Sequence, residues 1–261
     1  MTELLKRSFF GLIYVVVIIL ALQSYNLTAL LLTVFLIVAL KEFSDLVQLN
    51  FKTILFPSLL IYFSSFLYHS GNIEQSSLKI ILSFTLIVLF IPMLFFIFDK
   101  FSKDALSKFY LTIFYLSIPF ALTLSFELKM LLFVFFIIWS SDVFAYLFGK
   151  FFGKHKLAEK ISPKKTIEGF LGGLSSSLAI GFLMVKITDW YTDFDDIFLL
   201  ILILIIVLFG TLGDLLESKF KRLAGVKDSG KILPGHGGIL DRLDSFILAV
   251  PFVYAYLLIF G

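Results

Sequence analysis

Nine apolar stretches, at about 9–22, 27–40, 53–68, 78–98, 109–126, 130–148, 167–187, 197–216 and 244–260, punctuate a chain of 261 residues. A helix needs roughly 20 mostly apolar residues to cross the hydrocarbon core of a bilayer, and lipid leaves the backbone few alternatives to a helix. The chain is therefore read as all-α: a polytopic integral membrane protein with about nine transmembrane helices. The first three runs are short and must extend into the interface or pack against neighbours. A soluble domain of this size does not carry a mean hydropathy of +1.01 or 34 phenylalanines. Lys6 and Arg7 precede the first run as they would in a signal peptide, but no clear small-residue cleavage site follows Leu22. That run is read as an uncleaved helix.

Orientation follows from the cations. With nine spans and a cytoplasmic N-terminus, 19 of the 22 lysines and arginines fall in cytoplasmic segments, as the positive-inside rule requires. Only Lys79, Lys129 and Lys186 fall elsewhere, and the loop before the eighth run is acidic, with Asp189, Asp193, Asp195 and Asp196. The two long charged loops then face the cytoplasm, where nucleotides are. This placement, in the inner or plasma membrane, also explains the basic face without nucleic acid as a partner.

The absence of cysteine excludes disulfides, thiolate nucleophiles and sulfur-ligated metals, and His69, His155 and His236 are too scattered for a histidine metal motif. Any metal here is held by oxygen, which favours Mg²⁺, Mn²⁺ or Ca²⁺.

Charge concentrates between 213 and 245, where Asp214, Glu217, Asp228, Asp241 and Asp244 alternate with Lys219, Lys221, Arg222, Lys227, Lys231 and Arg242 around five glycines. Such density in so apolar a chain is costly unless a polyvalent ligand uses it. Gly210, Asp214, Glu217 and Lys221 share one helix face, and Asp241 and Asp244 share another. Glu217 and Lys221 have an ordinary reading as an exposed i, i+4 pair; Asp214, deeper in the span, has none. We expect Asp214, Asp241 and Asp244, together with Asp142, to converge on Mg²⁺, with Gly235 to Gly238 letting backbone approach phosphate oxygens.

Upstream, Asp142 lies in an otherwise apolar run, where an aspartate costs about 2.5–3.5 kcal/mol at the helix centre by insertion scales. It shares a face with Trp139, Tyr146 and Gly149 and either reaches the charged cluster or bonds a neighbouring helix. In SPKKTIEGFLGG, Thr166 can cap a helix, Glu168 suits its first turn, and Lys164 and Lys165 beside that N-terminus suit an anion or belong to a general positive-inside loop. Gly169, Gly173, Ser177 and Gly181 form a packing seam. Before residue 129 the sequence asks for little chemistry: Asp45, Asp99 and Asp104 sit beside lysines at span ends, and Pro57, Pro92 and Pro119 kink helices. Residues 1–129 are read as scaffold, lipid groove or both, and 130–261 as the catalytic region, with the active site at the cytoplasmic ends of its helices.

At these residues the chain resembles the phosphatidate cytidylyltransferase family. Ser218, Lys221, Arg222, Lys227, Asp228, Gly230, Pro234, His236, Gly237, Gly238, Asp241, Arg242 and Asp244 match its gapped signature in register, and the likeness extends back through SPKKTIEGFLGG and WSSDVFAY. The resemblance implies that CTP and phosphatidic acid give CDP-diacylglycerol and pyrophosphate, by attack of the lipid phosphate on the α-phosphorus. It implies Asp214 and Asp241 as first metal ligands, and Asp244 and Asp142 as second choices. Lys164, Lys165, Lys221, Arg222, Lys227 and Arg242 become phosphate contacts, with Asp228, Gly237 and Gly238 in the substrate loop. His236 either donates to a phosphate or holds its glycine turn. Family likeness further implies Mg²⁺, a monovalent cation such as K⁺ as second ion, and a homodimer. A CTP-using polyprenol kinase and a transporter are the rival readings.

Overall fold

The computed structural model describes residues 3–70, 105–188, 190–191, 194–232 and 237–261. The expected span at 78–98 and the acids Asp99 and Asp104 lie outside these residues. The other eight expected spans each coincide with a helix: α1 (Glu3–Ala21), α2 (Tyr25–Val47), α3 (Phe51–Ser70), α4 (Ala105–Thr123), α5 (Leu128–Phe152), α6 (Ile167–Thr188), α7 (Asp196–Leu223) and α8 (Leu240–Phe260). Among the described residues, the six helices α2 and α4 to α8 are long and apolar enough to cross a membrane, while the apolar parts of α1 and α3 are shorter, at Gly11–Ala21 and Phe51–Phe66. The protein is thus a helical integral membrane protein. One departure from all-α is a small antiparallel hairpin, β1 (Lys156–Ala158) with β2 (Ser162–Thr166), in which Lys156 pairs with Thr166 and Ala158 with Ser162.

The chain divides into two compact units, one comprising 1–128 with 223–243 and the other 129–222 with 244–261. In the first, α2 is the buried hub: Leu36, Ala39, Leu40 and Phe43 are fully covered. Helix α3 is tied to it by Tyr62, whose hydroxyl donates to the Ala29 carbonyl at 2.8 Å. Helix α4 meets α3 through the buried Ser117–Ser58 hydroxyl pair at 2.7 Å and through Ser65 donating to the Ala121 carbonyl. A π turn at Ile113–Ser117 interrupts α4 just before Pro119. Proline has no N–H to donate to the preceding turn, and a widened turn absorbs that loss.

In the second unit the small-residue seam of α6 lies against α5, as its spacing predicts. A Cβ added at Gly169 would come within 2.7 Å of the Ala145 carbonyl oxygen, and one at Gly173 within 2.8 Å of that of Ser141. Ser177 and Ser140 hydroxyls meet across the seam at 3.1 Å. Such close backbones gain dispersion contacts that larger side chains would prevent. Helix α8 adds Phe246, stacked on Phe135 with ring centroids 4.4 Å apart, and Tyr256, which donates to the Phe198 carbonyl. At 28 residues α7 is about 42 Å long, enough to cross the hydrocarbon and continue beyond it. The charged residues Asp214 to Arg222 occupy its C-terminal turns.

Candidate active site

A cavity of about 330 Å³ opens in the second unit, between α5, the hairpin with the start of α6, and α7. From α5 it takes Ser141, Asp142, Ala145, Tyr146, Gly149 and Lys150. The hairpin adds Leu157, Lys164, Lys165 and Thr166, and α7 adds Thr211 and Asp214. The shared face expected for Asp142, Tyr146 and Gly149 is therefore a cavity wall. Thr166 caps α6 by accepting from the Gly169 N–H at 3.1 Å, which fixes where the strand stops and so where the two lysines point. Glu168 accepts from the backbone N–H groups of Lys154 and His155 and lies 2.5 Å from His155 Nδ1. It fastens the loop entering the hairpin in addition to favouring the helix N-terminus.

The cavity's central contact is an ion pair. Lys165 Nζ lies 2.7 Å from Asp214 Oδ2, with the two side chains 26% and 30% exposed, and Ser218 donates to Asp214 Oδ1 at 3.2 Å. Helix α8 approaches α7 here because residue 213 has no side chain: a Cβ on Gly213 would sit 2.4 Å from the Asp244 carbonyl oxygen. Asp244 consequently interacts electrostatically with Asp214, Glu217 and Asp142. The expectation of an exposed Glu217–Lys221 pair is corrected. The two side chains do pair, but Glu217 is 0% and Lys221 8% exposed, because that helix face is packed inward. Arg222, on the next residue, is exposed.

Four carboxylates with two paired lysines in one unit make an all-oxygen donor set, the chemistry of a hard divalent cation. Among the described residues, no three carboxylate or imidazole groups stand close enough to enclose an ion as placed. The donor chemistry fits Mg²⁺.

The glycine-rich stretch belongs to the first unit and is organised by two carboxylates. Asp241 Oδ2 accepts from the Ser229 N–H at 2.9 Å and the Gly238 N–H at 2.8 Å, with the Ser229 hydroxyl at 2.9 Å. Glu42 of α2, 5% exposed, accepts from the N–H groups of Ile239 and Leu240, at 3.2 and 2.8 Å, and lies 3.2 Å from the same hydroxyl. That hydroxyl has one proton to serve two acceptors. Gly237 adopts φ +81°, and a Cβ there would meet Asp241 Oδ2 at 2.4 Å, so both conformation and space require glycine. Lys227, Asp228 and Arg242 are exposed, with the Arg242 carbonyl accepting from the Tyr14 hydroxyl. Pro234, Gly235 and His236 lie outside the described residues.

Asp142, Lys164, Lys165 and Asp214 all line this cavity, and Asp244 interacts with both aspartates; Asp241, expected with them, belongs to the first unit. The sequence reading missed Glu42. One signal marked it: counting from Phe35 and Ala39, residue 42 continues the buried face of α2, whereas Lys41 and Asp45 fall on the outer face and pair there.

Phosphatidate cytidylyltransferase of Staphylococcus haemolyticus is 55% identical to this chain over 126 residues, 48% of this chain and 47% of that protein. The protein of the same name from Staphylococcus aureus is 56% identical over 124 residues, with the same coverage. The chain spans about half the length of the curated relatives it matches. The model of the cytidylyltransferase family matches residues 6–260, nearly the whole sequence, and the chain belongs to that family.

Proposed function

We propose that the protein is a phosphatidate cytidylyltransferase, joining CTP and phosphatidic acid to give CDP-diacylglycerol and pyrophosphate. The observation that carries this reading is the cavity of the second unit. It combines carboxylates (Asp142, Asp214), lysines (Lys150, Lys164, Lys165) and apolar side chains (Tyr146, Leu157, Phe170) on one wall system in a membrane protein. Polyphosphate and acyl lipid need these surfaces side by side. The activity named for the staphylococcal relatives supports the same reading.

In this mechanism an oxygen of the lipid phosphate attacks the α-phosphorus of CTP. The bond from that phosphorus to the β-phosphate bridging oxygen breaks, and the electron pair leaves with pyrophosphate. Phosphatidate is ionised near neutral pH, so no side chain need remove a proton and none forms a covalent intermediate. The difficulty is charge: two polyanions must meet. Lys164 and Lys165 bind phosphate oxygens beside the α6 N-terminus, and Lys165 exchanges its partner Asp214 for substrate. The carboxylate so released, with Asp142 and Asp244, would hold Mg²⁺. When bound, that ion neutralises phosphate charge and polarises the phosphoryl oxygens. Asp241, already accepting from Ser229 and Gly238, holds the backbone there for a phosphate. Lys221 stands by its buried partner Glu217, and the exposed Arg222, Lys227 and Arg242 are further phosphate contacts. A monovalent cation such as K⁺ as second ion, a homodimer, a ninth helix within 78–98 and a cytoplasmic face for N-terminus and site belong to the same proposal. So does the division of labour in which 130–261 carries the chemistry and 1–129 the scaffold.

The test is transfer of label from base-labelled CTP into chloroform-extractable lipid by the purified protein. The proposal expects label in lipid only with both phosphatidic acid and Mg²⁺ present. Label retained in water by folded protein, under varied lipids and ions, overturns it.

A further inference from the structure

The first unit holds a buried acid that the mechanism above does not use. Glu42, 5% exposed, sits in the last two turns of α2, a helix whose other buried residues are apolar apart from the hydroxyl-bearing Thr28 and Ser44. A buried carboxylate persists only when its oxygens are satisfied. Here every donor given to it comes from one segment: the Ile239 and Leu240 N–H groups at the start of α8 and the Ser229 hydroxyl. Those two N–H groups are among the donors that the first turn of a helix leaves without intrahelical partners. A carboxylate there also meets the favourable end of the helix dipole.

The glycines show how tightly the loop is drawn onto this acid. A Cβ on Gly230 would lie 2.2 Å from Glu42 Oε1, and one on Gly238 would lie 2.4 Å from both carboxylate oxygens. Two glycines eight residues apart are thus closed over the same carboxylate. Asp241 grips the same loop at Ser229 and Gly238. Glu42 therefore holds from the α2 side what Asp241 holds from within α8.

We propose that Glu42 is a positioning residue for the backbone at 229–232 and 237–240, fixing the donors there in the arrangement that receives a polyphosphate. This rests on the proposed role of that loop in binding CTP. The residue acts through the loop and touches no reacting atom. A neutral amide of the same size presents N–H₂ where one N–H donor now points, so Glu42→Gln misdirects the loop without emptying the space. Glu42→Asp keeps the charge and shortens the reach by one methylene. Ser229→Ala removes one of the three donors.

The experiment measures these variants in the full-length protein in nanodiscs by amide hydrogen exchange and by steady-state kinetics with each substrate varied. For Glu42→Gln we expect faster exchange confined to residues 229–232 and 237–240. We also expect kcat/KM for CTP to fall by about 10–100-fold, the scale of a small displacement of a positioned group, with KM for phosphatidic acid little changed. Glu42→Asp should recover part of the loss, and Ser229→Ala should show a smaller effect of the same kind. Unchanged exchange in Glu42→Gln overturns the proposal. So does exchange rising equally through α2 and α3, which would make the residue a support of the fold, or an equal change in both KM values. If the wild-type protein transfers no cytidylyl group, the reading of the loop's ligand fails while the exchange result still decides whether Glu42 holds the loop.

Discussion

Each unit buries carboxylates, but with different partners. In the first, Glu42 and Asp241 are met by backbone N–H groups and a serine hydroxyl. In the second, Asp214 is met by Lys165, and Glu217 by Lys221. Neutral donors fixed in the backbone satisfy the oxygens of a carboxylate and hold the chain in one shape. A lysine on a flexible stem can leave, so a part-exposed ion pair is a site that can exchange partners when phosphate or a metal arrives. The first arrangement suits a scaffolded loop and the second suits chemistry.

The largest expected effect follows from removing the exchangeable acid. Asp214→Asn keeps size and the Ser218 contact but removes the charge that faces both Lys165 and the proposed cation. Cytidylyl transfer should drop about 10²–10³-fold, the scale of losing one preorganised charge-stabilising group. Titration of activity with Mg²⁺ should show a higher requirement, and an unchanged Mg²⁺ curve would place the ion elsewhere.

A buried pair tests the comparison through stability. Glu217→Gln leaves the Lys221 ammonium, 8% exposed, facing an uncharged group, and breaking a buried pair from one side costs about 3–5 kcal/mol. A thermal melt in detergent should show a marked fall in midpoint. The double variant Glu217→Gln with Lys221→Met should regain much of it, which an exposed pair would not do.

Smaller still is the effect of crowding the seam. Gly173→Ala forces a methyl group against the Ser141 carbonyl oxygen, and overpacking of this kind costs about 1–3 kcal/mol. Stability should fall with KM for CTP unchanged. The mildest change is His155→Ala. The imidazole side chain is 75% exposed, and Glu168 keeps its two backbone donors, so turnover should shift by well under about fivefold, the range of exposed pairs.

Much of this arrangement was legible in the sequence. Hydropathy located eight helices because lipid imposes long apolar runs, and Thr166, Gly169 and Gly173 marked where α6 begins and what it packs on. Asp142 stood out because an acid inside an apolar run demands a reason. Glu42 did not stand out. It lies beside Lys41 and near Asp45 at a span end, where acids are usually solvated, and only its helical phase distinguishes it. Its donors are backbone N–H groups almost 200 residues later in the chain, and backbone donors leave no residue-type signature. The burial of Glu217 and Lys221 was hidden for a related reason: i, i+4 spacing shows that two side chains meet but not which face of the helix is covered.

The most direct test of the central claim follows two atoms of one substrate. CTP labelled differently at its α- and γ-phosphorus is incubated with the purified protein, phosphatidic acid and Mg²⁺, and lipid and water phases are counted. The account predicts α-label in the lipid phase, in equal amount to γ-label released in water as pyrophosphate, and loss of both in Asp214→Asn. Appearance of γ-label in the lipid phase, with α-label left in water, would contradict it and make the protein a CTP-dependent lipid kinase.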